Sequence, residues 1–173
     1  LLSNIENDLR RRDFTINALC FDLMDNTLID LYKGIEAIKY RKLEFIHSKS
    51  VEEDPTRIIR AARYAARLNF NLSTESIQQI KSTITFWPWN YKHYSTNHNI
   101  PPALGTRLGM ELELLFNNEP WEKAITNLKN WGALQLIDQK LQDDSRWQRR
   151  VHWASRLGVP RLTAFIAGCQ NPS

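Results

Sequence analysis

Several things are scarce in this sequence, and each scarcity narrows what it can be. Nowhere in its 173 residues is there an apolar run of about 18, so no helical membrane span is expected. No secretory leader is recognisable either. Cysteine occurs twice, at Cys20 and Cys169, far apart and in apolar surroundings. That argues against a disulfide framework and fits a reducing, cytoplasmic setting. Histidine is equally sparse: His93 and His98 lie in a polar stretch and His47 and His152 stand alone, so no residue set has zinc spacing. Acidic residues stop at Asp144, although Arg146, Arg149, Arg150, Arg156 and Arg161 follow. With 42% apolar and 24% charged residues the chain is globular rather than disordered, one ordinary domain or two small ones.

What is present begins with helices. NDLRRRDFTINAL reads as a cap and a short helix, with Asp8 or Asp13 as its start. LCFDL and TLIDL around the turn-like MDN predict a β-hairpin. Gly34 with IEAIKYR predicts a turn and a short helix, and KLEFI a further strand. From residue 54 the periodicity is helical and stays so. The clearest element runs from Pro55 to Leu68, with Asp54 as N-cap and Asn69 as a left-handed stop. At about 100° per residue, Ile58, Ile59, Ala61, Ala62, Ala65, Ala66 and Leu68 share one face, and the alanines invite close approach of a neighbouring helix. Ser73 caps a second helix over 74–85. Residues 86–102, FWPWNYKHYSTNHNIPP, form a long loop. Its aromatics, with Lys92 and His93, could stack on unpaired bases, although pinning of the loop to the core is the weightier reading. LGTRLGMELELLF, PWEKAITNLKNWGALQLI and the segments beyond Asp144 read as helices. The fold class expected is α+β and mostly α, a hairpin with short helices ahead of an all-helical remainder.

The charge is uneven: net +4, gathered in Arg10–Arg12, in the ladder Arg57, Arg60, Arg63 and Arg67, and in the C-terminal cluster. Localised basic patches suit a polyanion. For Arg146, Arg149 and Arg150, RNA binding and a solvated face are equally open readings. Asp54 and Arg57 project from the first turn of one helix. A carboxylate only accepts hydrogen bonds and a guanidinium only donates them. The pair therefore complements cytosine and adenine, which present an amino group beside ring acceptors. Uracil and guanine would set a carbonyl against the carboxylate, at about 1–3 kcal/mol per buried unsatisfied group. A plain cap beside a solvated arginine is the competing reading of these two residues alone. Arg60 and Arg63 continue along the same side and can hold phosphate in planar, bidentate fashion. Few acids fall at i±4 there, so pairing within the ladder is not expected. Around RRRDFTINA, Arg12 can reach a phosphate, and Asp13 and Asn17 can accept from ribose hydroxyls.

DLRRRDFTINAL, LIDLYKGIEAIKYRKLEFI and EEDPTRIIRAARYAARLNF, in that order and spacing, closely resemble the bacterial tRNA nucleotidyltransferase (CCA-adding enzyme) and poly(A) polymerase family. The resemblance covers residues 7–85 and resumes at LGTRLGMELELLF. It implies a nucleotidyltransferase head followed by a helical neck and body, here as 1–50, 51–118 and 119–173. It also implies nucleotide addition from CTP and ATP to a tRNA 3′ end. Arg12, with Asp13 and Asn17, would contact sugar and phosphates; Asp54 and Arg57 would select the base; Arg60 and Arg63 would also touch the nucleotide. The tRNA acceptor end, CTP and ATP are the partners implied, with no membrane and no protein partner. The family's Gly-rich turn and DxD carboxylate pair, which hold Mg²⁺, are missing from this sequence, and Asp22, Asp25 and Asp30 do not replace them. Since the chain opens on Leu1 rather than Met, those ligands are expected upstream, and this stretch alone is expected to carry no activity. Rival readings are a poly(A) polymerase of the same family and a non-catalytic RNA-binding module.

Overall fold

The computed structural model describes residues 2–86, 104–138 and 140–169. The predicted loop over 86–102 therefore falls almost wholly outside the described residues. Helix α1 (Leu2–Arg10) leads into a 3₁₀ turn at Thr15–Asn17 and the hairpin β1 (Leu19–Asp22) and β2 (Thr27–Asp30). The strands pair antiparallel with Leu19 opposite Asp30 and Asp22 opposite Thr27. The hairpin turns where expected. Asp22 Oδ1 accepts the Met24 N–H at 2.8 Å, and Asn26 supplies the left-handed residue at φ 52°.

Helix α2 (Gly34–Lys39) follows, capped from a distance: Asp30 accepts the N–H groups of Gly34 at 2.7 Å and Ile35 at 3.0 Å. This cap presses Gly34 against the 3₁₀ turn. A Cβ there would meet the Thr15 carbonyl oxygen at 2.5 Å and the Leu19 side chain at 3.0 Å, and a main-chain oxygen cannot yield. Gly34→Ala is accordingly expected to destabilise the fold by about 1–3 kcal/mol, read as a lower urea midpoint at unchanged slope.

The strand expected in KLEFI is shorter than its sequence suggests. Only Lys42–Leu43 (β3) forms a ladder, with Phe45 adding a bridge to Phe14. Its partner is β4 (Asn71–Leu72), parallel, which interrupts the continuous helical region expected after residue 54. Between them lie α3 (Ser50–Glu53) and α4 (Thr56–Leu68). Asp54 works as a cap should: its Oδ1 accepts the Thr56 N–H at 3.1 Å and the Thr56 hydroxyl at 2.6 Å. Asn69 ends α4 at φ 57°, as its type predicts. The apolar face is buried from Ile58 to Ala66, but Leu68 is 39% exposed because the helix stops before its last turn is covered. Ser73 caps α5 (Thr74–Phe86), accepting the Ser76 N–H at 3.2 Å.

The remaining described elements are α6 (Leu104–Asn118), α7 (Trp121–Asn130), a 3₁₀ turn at Ala133–Leu136, α8 (Trp147–Arg156) and α9 (Arg161–Ile166). Helix α4 packs on α6 and α7 through its fully buried alanines, which lets the backbones draw close. One continuous apolar cluster runs from Phe14, stacked on Phe45 at 5.4 Å, through Ile58 and Leu128 to Trp147 and Phe165. Burial of side chains this large, at about 1.5–3 kcal/mol each, fixes α4 relative to both the hairpin end and the C-terminal helices. No helix among the described residues is long and apolar enough to cross a membrane. Cys20 and Cys169 are both free thiols. Burial pushes that of Cys169 up to about 11.

Candidate functional site

The outer arc of α4, the 3₁₀ turn and α6 enclose a cavity of about 640 Å³. Arg11, Arg12, Asp13, Asn17, Asp54, Thr56, Arg57, Arg60, Tyr64, Arg107, Met110 and Glu111 line it. Six of the seven residues singled out as nucleotide-binding meet here, from two segments some forty residues apart. The seventh, Arg63, does not line the cavity. It is 7% exposed and sits behind the wall.

Asp13 is the hub of the floor. Its Oδ1 accepts the Phe14 N–H and the Asn17 amide, each at 2.9 Å. Its Oδ2 takes Arg60 through Nε at 2.8 Å and Nη2 at 2.7 Å. Asp13 stands just ahead of the 3₁₀ turn at Thr15–Asn17, but the residue at that turn's start is Phe14 and no side chain caps it. Asp8, the other expected helix start, instead lies in the last turn of α1, because that helix ends where the sequence seemed to begin one. There Asp8 accepts hydrogen bonds from Arg11 at 2.8 Å and Arg12 at 3.2 Å, which hold its carboxyl below the usual range. Arg12 also donates to the Asn17 carbonyl at 3.0 Å.

As expected, the ladder finds no acid on its own helix, but it is paired from other parts of the chain. Arg60 Nη1 donates to Glu111 Oε1 at 2.9 Å, and Glu111 Oε2 pairs with Arg63. Arg63 and Arg67 both reach Glu119 Oε1, at 3.3 and 3.1 Å. The acids come from α6 and the residue just past it, some fifty positions away, where an i±4 search cannot find them. Burial disfavours the charge on Arg60, but Glu111 and Asp13 outweigh it and hold its proton above the ordinary guanidinium range.

At the mouth, Arg57 spans two segments: Nη2 donates to the Arg11 carbonyl at 2.8 Å and Nη1 to the Ser50 carbonyl at 3.2 Å. Asp54 keeps Oδ1 on Thr56 and turns Oδ2 toward Arg107. Asp54 and Arg57 thus both border the cavity at the start of α4, each already holding partners within the protein.

Comparison with known proteins finds relatives along nearly the whole chain. The family described as "Poly A polymerase head domain" matches residues 2–44. The A-adding tRNA nucleotidyltransferase of Aquifex aeolicus (strain VF5) is 42% identical over 99% of this chain and 23% of its own length. Poly(A) polymerase I of Haemophilus influenzae is 39% identical over 92% of this chain and 33% of its own. A solved CCA-adding enzyme in complex with CTP superposes with a TM-score of 0.72 at 26% identity, over 90% of this chain and 36% of that one. The chain belongs to the tRNA nucleotidyltransferase and poly(A) polymerase family. It spans about a quarter to a third of the length of these curated relatives of the family.

Sequence reading missed Arg107, Glu111, Tyr64 and Thr56. Arg107 and Glu111 stand four apart in LGTRLGMELELLF, a stretch noticed for its resemblance to the family. At that spacing they look like an ordinary exposed helical ion pair. Both instead turn toward α4. Tyr64 backs the ladder, with the Arg67 guanidinium over its ring at 4.5 Å.

The C-terminal arginines lie elsewhere, on and just before α8. Arg146 and Arg149 are exposed, whereas Arg150 pairs with Asp144 at 2.6 Å and packs against Gly168. Burial alone would raise the Asp144 carboxyl, but its bonds from Arg150 and the Arg146 N–H outweigh that and hold it low. So one of the three candidate RNA contacts is engaged inside the fold.

Proposed function

We propose that this chain is the base- and ribose-reading part of a cytoplasmic tRNA nucleotidyltransferase that adds C and A from CTP and ATP to the tRNA 3′ end, releasing pyrophosphate. In this reading residues 1–50 belong to the nucleotidyltransferase head, 51–118 to the neck and 119–173 to the body. The observation that carries it is that Asp54 and Arg57 line one cavity together with Arg11, Arg12 and Arg107. Amino-bearing bases would donate to Asp54 and accept from Arg57. Arg12 and Arg11 would hold phosphate, and Asn17 beside Asp13 would meet the ribose. Arg63 would act from behind, fixing Glu111 and through it Arg60. Arg146 and Arg149 are left as the freer candidates for RNA phosphates.

Divalent metal chemistry is general to the family, and Mg²⁺ is the ion proposed. The acids in this cavity do not fit it. Asp13, Asp54 and Glu111 are each tied to a guanidinium, and among the described residues no group of three or more metal-ligating side chains is assembled.

Similarity to the poly(A) polymerase favours a second reading, adenylate addition alone. Incubating the intact gene product with Mg²⁺, CTP, ATP and a tRNA stripped of its last three nucleotides separates the two. Restoration of C, C and A supports the proposal. A ladder of A from ATP alone supports the second reading, and tRNA binding without addition overturns both.

A further inference from the structure

Arg107 occupies the atom that the proposed base-reading needs. Asp54 Oδ1 is fixed by two donors from Thr56, so only Oδ2 is free to meet a ligand, and Arg107 Nη2 is already on it. The contact is a single N–H on a single oxygen, the same kind of contact an exocyclic amino group would make. The two partners differ in how firmly they are held. The Asp54 side chain is 15% exposed and anchored at its helix start, whereas that of Arg107 is 47% exposed on the cavity rim. Next to it, one turn along α6, Glu111 is locked between Arg60 and Arg63 and leaves Arg107 no acid on its own helix face.

We propose that Arg107 is a placeholder: it neutralises Asp54 while the cavity is empty, and the amino group of cytosine or adenine must displace it. This rests on the base-reading role of Asp54 and adds a specificity-determining residue to it. A base that donates to Oδ2 competes with Arg107. A base that brings a carbonyl there gains nothing from its departure. Arg107 therefore weakens binding of CTP and ATP selectively and lowers discrimination. Its charge also attracts triphosphate, but that pull acts on all four nucleotides alike and cancels in their ratio.

The test is equilibrium binding of CTP, ATP, UTP and GTP to the intact gene product and to Arg107→Met and Arg107→Gln. Both variants remove the charge from a half-exposed site and keep the stem. The preference for CTP and ATP over UTP and GTP should rise about two- to five-fold in each, the worth of a half-exposed ion pair. In the Asp54→Ala background the same Arg107 changes should move the ratio no further. An unchanged or reduced preference on removing Arg107 overturns the placeholder role. If Asp54→Ala by itself leaves the preference intact, the base-reading role of Asp54 fails instead, so the two failures are told apart.

Discussion

Replacing Asp54 with asparagine in the intact gene product is expected to move nucleotide choice away from CTP and ATP and toward UTP and GTP. The reasoning is atomic. Oδ1 of residue 54 accepts both the N–H and the hydroxyl of Thr56, so an amide must place its oxygen there and present its NH₂ to the cavity. Asparagine is as good a cap as aspartate, so α4 keeps its start. Only the outward atom changes, from acceptor to donor, and the bases it suits change with it. A mismatch of about 1–3 kcal/mol corresponds to roughly five- to 150-fold in relative kcat/KM. Arg57→Ala should lose discrimination without reversing it, because it removes donors and supplies no new acceptor. Steady-state competition among the four triphosphates measures both. Unaltered selectivity in Asp54→Asn would mean that α4 does not read the base.

The second large effect is structural. Glu111→Ala should destabilise the fold by about 3–5 kcal/mol, the usual result of stripping one partner from a buried ion network. Glu111 joins Arg60 to Arg63, and Arg63 is 7% exposed with its Nε already lacking a partner. Without the carboxylate, two guanidinium groups stand one turn apart on the same side of α4, with Glu119 and Asp13 left to balance them. Glu113→Ala, on the exposed side of the same helix, is the control and should stay within about 0.5 kcal/mol. Equal midpoints for the two variants in chemical denaturation would show that the network adds nothing to stability.

How much of this was legible in the sequence depended on distance along the chain. The Asp54 cap, the Asn69 stop, the Asp25–Asn26 turn and the Ser73 cap are decided within a few residues, and all lie where their chemistry puts them. Parallel pairing of β3 with β4 joins segments nearly thirty residues apart through two residues each, too short to leave a periodic signal. The cavity was half legible. Both motifs named residues that line it, but each was read on its own helix. The Arg60–Asp13 bond and the Glu111 and Glu119 pairings link those helices, and nothing in local spacing encodes them.

The pairing along α4 also changes what the ladder does at long range. Arg60, Arg63 and Arg67 carry three positive charges, and Asp13, Glu111 and Glu119, which bind them, carry three negative ones. Beyond a Debye length, about 8 Å in physiological salt, such a set is electrically silent. Beyond Arg57 the ladder is thus no beacon for an approaching polyanion. Whatever steering there is comes from arginines at the rim, and added salt will blunt it while the inner set stands unchanged.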